Sequence, residues 1–108
     1  MKKDSNIRIL VADDHYVVRM GVIAIINNEP DMEVVAEATN GTQAIDLFNR
    51  HKPDLILLDS RMPLKGGVQA AKEIRDLDAS ARILMLTAFD GDEDIHKALE
   101  AGAQGYIL

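Results

Sequence analysis

Apolar residues in this chain fall into short, nearly continuous runs separated by longer stretches in which they recur every three or four positions. The two periods predict alternating strands and helices. Ile7 to Ala12 is the first run, dense enough to require burial on both faces of a strand. Tyr16 to Asn27 follows with Val18, Val22, Ile25 and Ile26 at helical spacing, and Pro30 lies just past its end. Met32 to Ala38 predicts a second strand. Asn40-Gly41 opens a second helix in which Ala44, Leu47, Phe48 and His51 share a face and which Pro53 stops. Asp54 to Leu58 is the most apolar run and is expected at the centre of the sheet, followed by a loop from Asp59 to Gly66 and a third helix from about Gly67 to Asp76. Arg82 to Thr87 predicts a fourth strand. The acidic stretch Asp90 to Asp94 leads a fourth helix ending near Gly102, and Gly105 to Leu108 begins a fifth strand.

Five strands alternating with four helices, without hairpin signals, predict an α/β fold. The expected form is a doubly wound parallel sheet of flavodoxin-like strand order 2-1-3-4-5, with right-handed crossovers. At 108 residues the chain is one domain with one core, and no repeat, low-complexity tract or linker divides it.

The chain has no cysteine, which excludes disulfides, thiolate metal sites and a cysteine nucleophile and fits a reducing, cytoplasmic setting. No apolar run approaches the ~20 residues that cross a bilayer, so no membrane association is expected. Twelve basic residues against eighteen acidic ones give a net charge of −6, and the basic residues are scattered, so this segment is not expected to bind nucleic acid by itself.

Ligands of open parallel sheets sit beyond the carboxyl ends of the strands. Here the first strand is followed by Asp13-Asp14, the third by Asp59, and the fourth ends in Thr87. In the order 2-1-3-4-5 the first and third strands are neighbours, so three carboxylates converge. Three anions within ~5 Å repel by roughly 3 kcal/mol per pair at an effective dielectric near 20, which calls for a cation. Oxygen ligands without a Cys or His cluster suit Mg2+. The bland alternative, that these acids are helix N-caps and loop residues, explains each singly but not three at the ends of adjacent strands. His15 reads as a loop histidine, since imidazole suits softer metals than an all-oxygen Mg2+ site.

The segments V-A-D-D-H (11 to 15), L-L-D-S-R-M-P (57 to 63), L-T-A (86 to 88) and G-A-Q-G-Y-I-L (102 to 108) resemble the receiver domain of two-component response regulators over essentially the whole chain. The D-D-H form is similar to the subfamily with a LuxR-type helix-turn-helix output domain. The resemblance implies a phosphoacceptor switch rather than an enzyme acting on an external substrate, one that catalyses its own phosphorylation and dephosphorylation. It implies Asp59 as the residue that takes a phosphoryl group from a histidine kinase phosphohistidine. Asp14, Asp59 and the backbone carbonyl of Arg61 would ligate Mg2+, with Asp13 holding a metal-bound water. Thr87 would donate its hydroxyl to a phosphoryl oxygen beside the small Ala88, and Thr87 and Tyr106 would form the switch. Arg61 and Phe89 sit at the positions that tune hydrolysis.

The implied partners are a sensor histidine kinase, the protein's own output domain and a second copy on phosphorylation. The family's lysine and fifth helix would follow Leu108. The sequence is therefore read as a receiver domain over 1–108, C-terminally truncated, with the fifth helix absent from this chain and a DNA-binding output domain expected beyond its end, so that the whole serves transcription regulation. Without that helix, apolar surface beside Val18 and Val22 is expected to lie uncovered. Three rival readings remain. A flavodoxin-like module holding FMN or a nucleotide would want a glycine- or hydroxyl-rich loop after the first strand, where Asp13-Asp14 stands. A haloacid-dehalogenase-type hydrolase would want an acid at position 61, which is arginine, and a pseudo-receiver would not need the intact acid set.

Overall fold

The structure is a computed structural model that describes residues 6–60, 62–86 and the backbone of 105–107. Its elements are β1 (Ile7–Ala12), α1 (Tyr16–Asn27), β2 (Met32–Ala38), α2 (Gly41–His51), β3 (Leu55–Asp59), α3 (Gly67–Leu77), β4 (Ile83–Leu86) and β5 (Gly105–Ile107). All strand pairs are parallel and the sheet order is β2-β1-β3-β4-β5, as the alternation of short and long apolar patterns predicts. The predicted fourth helix, together with Arg61, Thr87, Ala88, Phe89 and the side chain of Tyr106, lies outside the described residues.

The strands bury both faces, which is why their sequences run apolar without alternation. Leu10, Ala12, Ile56, Leu58, Ile83 and Met85 point to one side, where Ala44 and Phe48 of α2 and Ala70, Ala71 and Ile74 of α3 close over them. Ile9, Val11 and Leu57 point to the other side, beneath Ile26 with Val22 and Ile23 of α1. Side chains of successive strand residues alternate between the two faces, so one apolar run feeds both cores.

Helix ends follow local chemistry. The side chain of Asn40 accepts from the Gln43 amide at 2.8 Å, and the Gln43 side chain returns the interaction by accepting from the Thr39 amide at 2.8 Å, a reciprocal cap on α2. Lys52 closes α2 in the left-handed region at φ 49°, its amide on the Phe48 carbonyl at 2.9 Å, and Pro53 prevents continuation.

Four elements depart from expectation in detail. β3 runs from Leu55 to Asp59 rather than from Asp54: the Asp54 carboxylate accepts from the Arg8 amide at 2.8 Å at the amino-terminal end of the strands, while Asp59 still pairs with Leu86. β4 is described as Ile83–Leu86, one residue shorter at its start than predicted, and α3 extends one residue further, to Leu77. On α1, Val22 and Ile26 face the core as the periodicity implies and Val18, on the surface expected to lie uncovered, is 48% exposed, but Ile25 is 70% exposed. That helix is apolar around much of its circumference, so spacing alone does not choose its inner face.

Candidate metal centre at the strand ends

The site forms where β1 and β3 end side by side. Ala12 registers with Leu58, so the residues after β1 and the last residue of β3 emerge at the same level. The Asp13 amide still donates to the Ala38 carbonyl at 3.0 Å, extending the ladder to β2, and the Arg19 guanidinium donates to the Asp13 carbonyl at 2.9 Å. Arg19 in turn holds Glu37 at 3.1 Å and lies 5.6 Å over the Tyr16 ring. The main chain of Asp13 is thus fixed from β2 and from α1, and its side chain is buried.

Asp59 is equally well placed. It is buried at the end of β3. The next residue, Ser60, donates its amide to the Leu86 carbonyl of β4 at 2.9 Å and accepts from the Gly67 amide of α3 at 3.1 Å. The loop between β3 and α3 is held a second time by the Gly41 amide on the Lys65 carbonyl at 2.9 Å, and a third time by the Lys65 ammonium on Glu73 at 2.6 Å. Lys65 holds the Glu73 carboxyl below its ordinary pKa.

Asp13, Asp14 and Asp59, with His15, each offer a ligand atom, and these atoms all lie within 4.8 Å of one another. The structure thus brings together the three carboxylates that the sequence assigns to strand ends, two buried and Asp14 open to solvent. This donor set fits a hard divalent cation: carboxylate oxygens at one exposed mouth, with coordination positions left for water or a phosphate.

His15 is the residue whose place sequence reasoning missed. Its Nδ1 stands 3.1 Å from Asp13 Oδ1, 3.1 Å from Asp14 Oδ1 and 3.5 Å from Asp59 Oδ2, although the side chain is 66% exposed. The hydrogen bond to Asp13, then the charge of Asp14, raises its pKa above the ordinary histidine value. The signal available was its position: the residue after an acidic pair at the head of a helix has its backbone amide on the first acid, here at 2.8 Å, which swings the ring over the same mouth.

A doubly wound sheet of this order with acids gathered at the β1/β3 switch point defines a receiver-type domain, and the chain belongs to the response regulator receiver domain family, which matches residues 9–108. The nitrate/nitrite response regulator NarL of Escherichia coli K12 is 43% identical over 100 residues, covering 93% of this chain and 46% of NarL. The oxygen regulatory protein NreC of Staphylococcus epidermidis is 43% identical over 102 residues, covering 94% of this chain and 47% of NreC. Among solved structures, a LuxR-family two-component response regulator from Aurantimonas superposes with a TM-score of 0.90 at 41% identity, over 94% of this chain and 73% of that one. The chain therefore spans about half the length of the curated relatives it matches. Membership of this family replaces the flavodoxin-like and hydrolase alternatives. Among the described residues, no helix is long and apolar enough to cross a membrane.

Proposed function

We propose that this domain takes a phosphoryl group from a histidine kinase onto Asp59, with Mg2+ bound beside it, and so switches a DNA-binding output domain carried by the remainder of a longer cytoplasmic protein. The observation that carries this reading is the convergence of Asp13, Asp14 and Asp59 within 4.8 Å, in a chain of the receiver family. The names of the relatives support a regulatory output, and their doubled length leaves room for it.

Asp59 is the nucleophile. A carboxylate oxygen attacks phosphorus in line, forming the acyl phosphate O–P bond as the P–N bond of the phosphohistidine breaks and its electron pair returns to the imidazole. Strand β3 fixes the carboxylate at the mouth, so little orientational freedom remains to be lost at the moment of transfer. Asp14, Asp59 and the backbone carbonyl of Arg61 would hold the metal, and Asp13 would hold a metal-bound water. Bound Mg2+ supplies charge neutralisation for the phosphoryl oxygens and for the acids themselves. Thr87 follows Leu86 in sequence, the β4 residue that registers with Asp59, and is the residue proposed to donate its hydroxyl to a phosphoryl oxygen. Tyr106 lies on β5 opposite Met85, adjacent to that same strand end, and is the switch partner of Thr87. Accelerating attack by its own side chain on phosphorus, and later attack of water on the acyl phosphate, makes the domain a catalyst of its own modification. A second copy is the expected partner of the phosphorylated form.

Incubation with acetyl phosphate and Mg2+, followed by peptide mass spectrometry, tests the assignment directly. A phosphoryl increment on the peptide containing Asp59, absent when Mg2+ is chelated, is the expected result; modification elsewhere, or none in a folded sample, refutes it.

Mg2+ should also stabilise the fold, since it binds the folded arrangement of acids and not the unfolded chain. At 100 times its Kd the gain is about 2.7 kcal/mol. Ca2+, which prefers more ligands and a looser cage, should stabilise less at equal concentration. Thermal melts across a titration of each ion measure this, and an unchanged Tm at saturating Mg2+ would remove the metal from the scheme.

A further inference from the structure

We propose that His15 is a nitrogen ligand of the centre, so that the site accepts borderline transition ions such as Zn2+ through its Nδ1 in addition to the Mg2+ that its carboxylates suit. This inference rests on the metal-centre reading above and adds a ligand to it. The three separations from Nδ1, 3.1, 3.1 and 3.5 Å, are to Asp13 and Asp14, which follow β1, and to Asp59, which ends β3, so one ring nitrogen faces all three acids at once. Ligands bound about 2.1 Å from one ion lie roughly 3.0 Å apart at adjacent octahedral positions and roughly 3.4 Å apart at tetrahedral ones. The observed distances fall on the edges of such a shell.

A hydrogen-bonding role accounts for less. A neutral imidazole has one proton to offer at Nδ1, enough for one oxygen or a shared pair, and Asp13 Oδ1 already accepts from the His15 amide at 2.8 Å. An ion about 2.1 Å from Nδ1 on the side of the acids would instead be held by that nitrogen together with carboxylate oxygens. The ring is also well exposed, so it can seat or leave without opening the core. Ligand softness then sets selectivity. Oxygen donors alone suit Mg2+ well, whereas a nitrogen donor raises affinity along the series toward Zn2+ far more than it does for Mg2+.

The test uses the chain labelled with 15N, titrated in turn with Mg2+ and Zn2+ and followed by imidazole nitrogen resonances and by calorimetry, in wild type, His15→Ala and Asp14→Ala. The expected results are a Zn2+-dependent shift of the His15 Nδ1 resonance that Mg2+ does not produce, and a Zn2+ affinity lowered about tenfold or more in His15→Ala while that for Mg2+ changes little. The resonance is assigned by its loss in His15→Ala, which separates it from the chain's other two histidines. Asp14→Ala should weaken both ions, locating them at the same mouth. If Mg2+ binds but Zn2+ affinity is unchanged in His15→Ala, or Nδ1 is unmoved by Zn2+, then His15 is no ligand and the carboxylate centre stands alone. If neither ion binds the wild type, the centre and this inference fall together.

Discussion

Asp59→Asn should abolish phosphorylation while leaving the domain folded. The amide has nearly the shape of the carboxylate but lacks the anionic oxygen that attacks phosphorus, so transfer from acetyl phosphate should drop to the background of the unmodified chain. The substitution also removes one of three carboxylates whose ligand atoms share a space 4.8 Å across, which relieves mutual repulsion. Equilibrium unfolding should accordingly give a stability equal to or above that of the wild type. Acid-labile phosphate accumulating at the wild-type rate would show that the nucleophile is another residue, with Asp13 and Asp14 the first to examine. Loss of phosphorylation with loss of the fold would not be the expected result, and far-ultraviolet circular dichroism separates the two.

Gly67→Ala should damage the domain from a position that carries no chemistry. A Cβ at Gly67 would stand 2.0 Å from the Asp59 carbonyl oxygen and 2.8 Å from its carbon, both main-chain atoms with no rotamer to yield. The start of α3 and the end of β3 would have to separate, straining the bond from the Gly67 amide to Ser60. Overpacking of backbone on this scale costs about 3 kcal/mol or more, and the displaced strand end carries Asp59 with it. Lower stability and slower phosphorylation should therefore appear together. Gly21→Ala is the opposing control. Nothing lies within 4 Å of a Cβ there, in the middle of α1, so helix propensity alone acts and the variant should gain roughly 0.5 to 1 kcal/mol. Denaturant midpoints of the two variants moving in the same direction would contradict this account.

The strands and their order were readable because a parallel sheet buried on both faces writes itself as dense apolar runs, and because ligands gather at the carboxyl ends of such strands. Asp13, Asp14 and Asp59 followed from that rule. The boundaries of β3 did not, since an aspartate stands at both ends of the run D-L-I-L-L-D and only hydrogen bonding distinguishes them: Asp54 caps the Arg8 amide, whereas Asp59 pairs with Leu86. The inner face of α1 was half legible. Val17, Val18, Ile25 and Ile26 are all apolar, and which of them turns inward depends on how the helix is rolled against Ile9, Val11 and Leu57. The place of the His15 ring was not legible at all, because it answers to charges brought by two strands more than forty residues apart in sequence. Nor was the need for glycine at position 67, which exists only once α3 is laid against the main chain of Asp59.

Ser60 is gripped on both sides, its amide by the Leu86 carbonyl of β4 and its carbonyl by the Gly67 amide of α3. The main chain beside Asp59 is thereby tied to both the end of β4 and the start of α3, so a movement of one would strain the bonds to the others. Coupling of this kind runs in both directions with equal strength. Any partner that prefers one arrangement of the β4 end thereby raises or lowers the affinity of Asp59's mouth for its occupant by the same factor that the occupant confers on the partner. At a typical coupling of about 1 to 3 kcal/mol this is roughly a 5- to 150-fold effect. A bound partner would then act on this domain as an effector of its acid site, and its presence would change how readily the site fills.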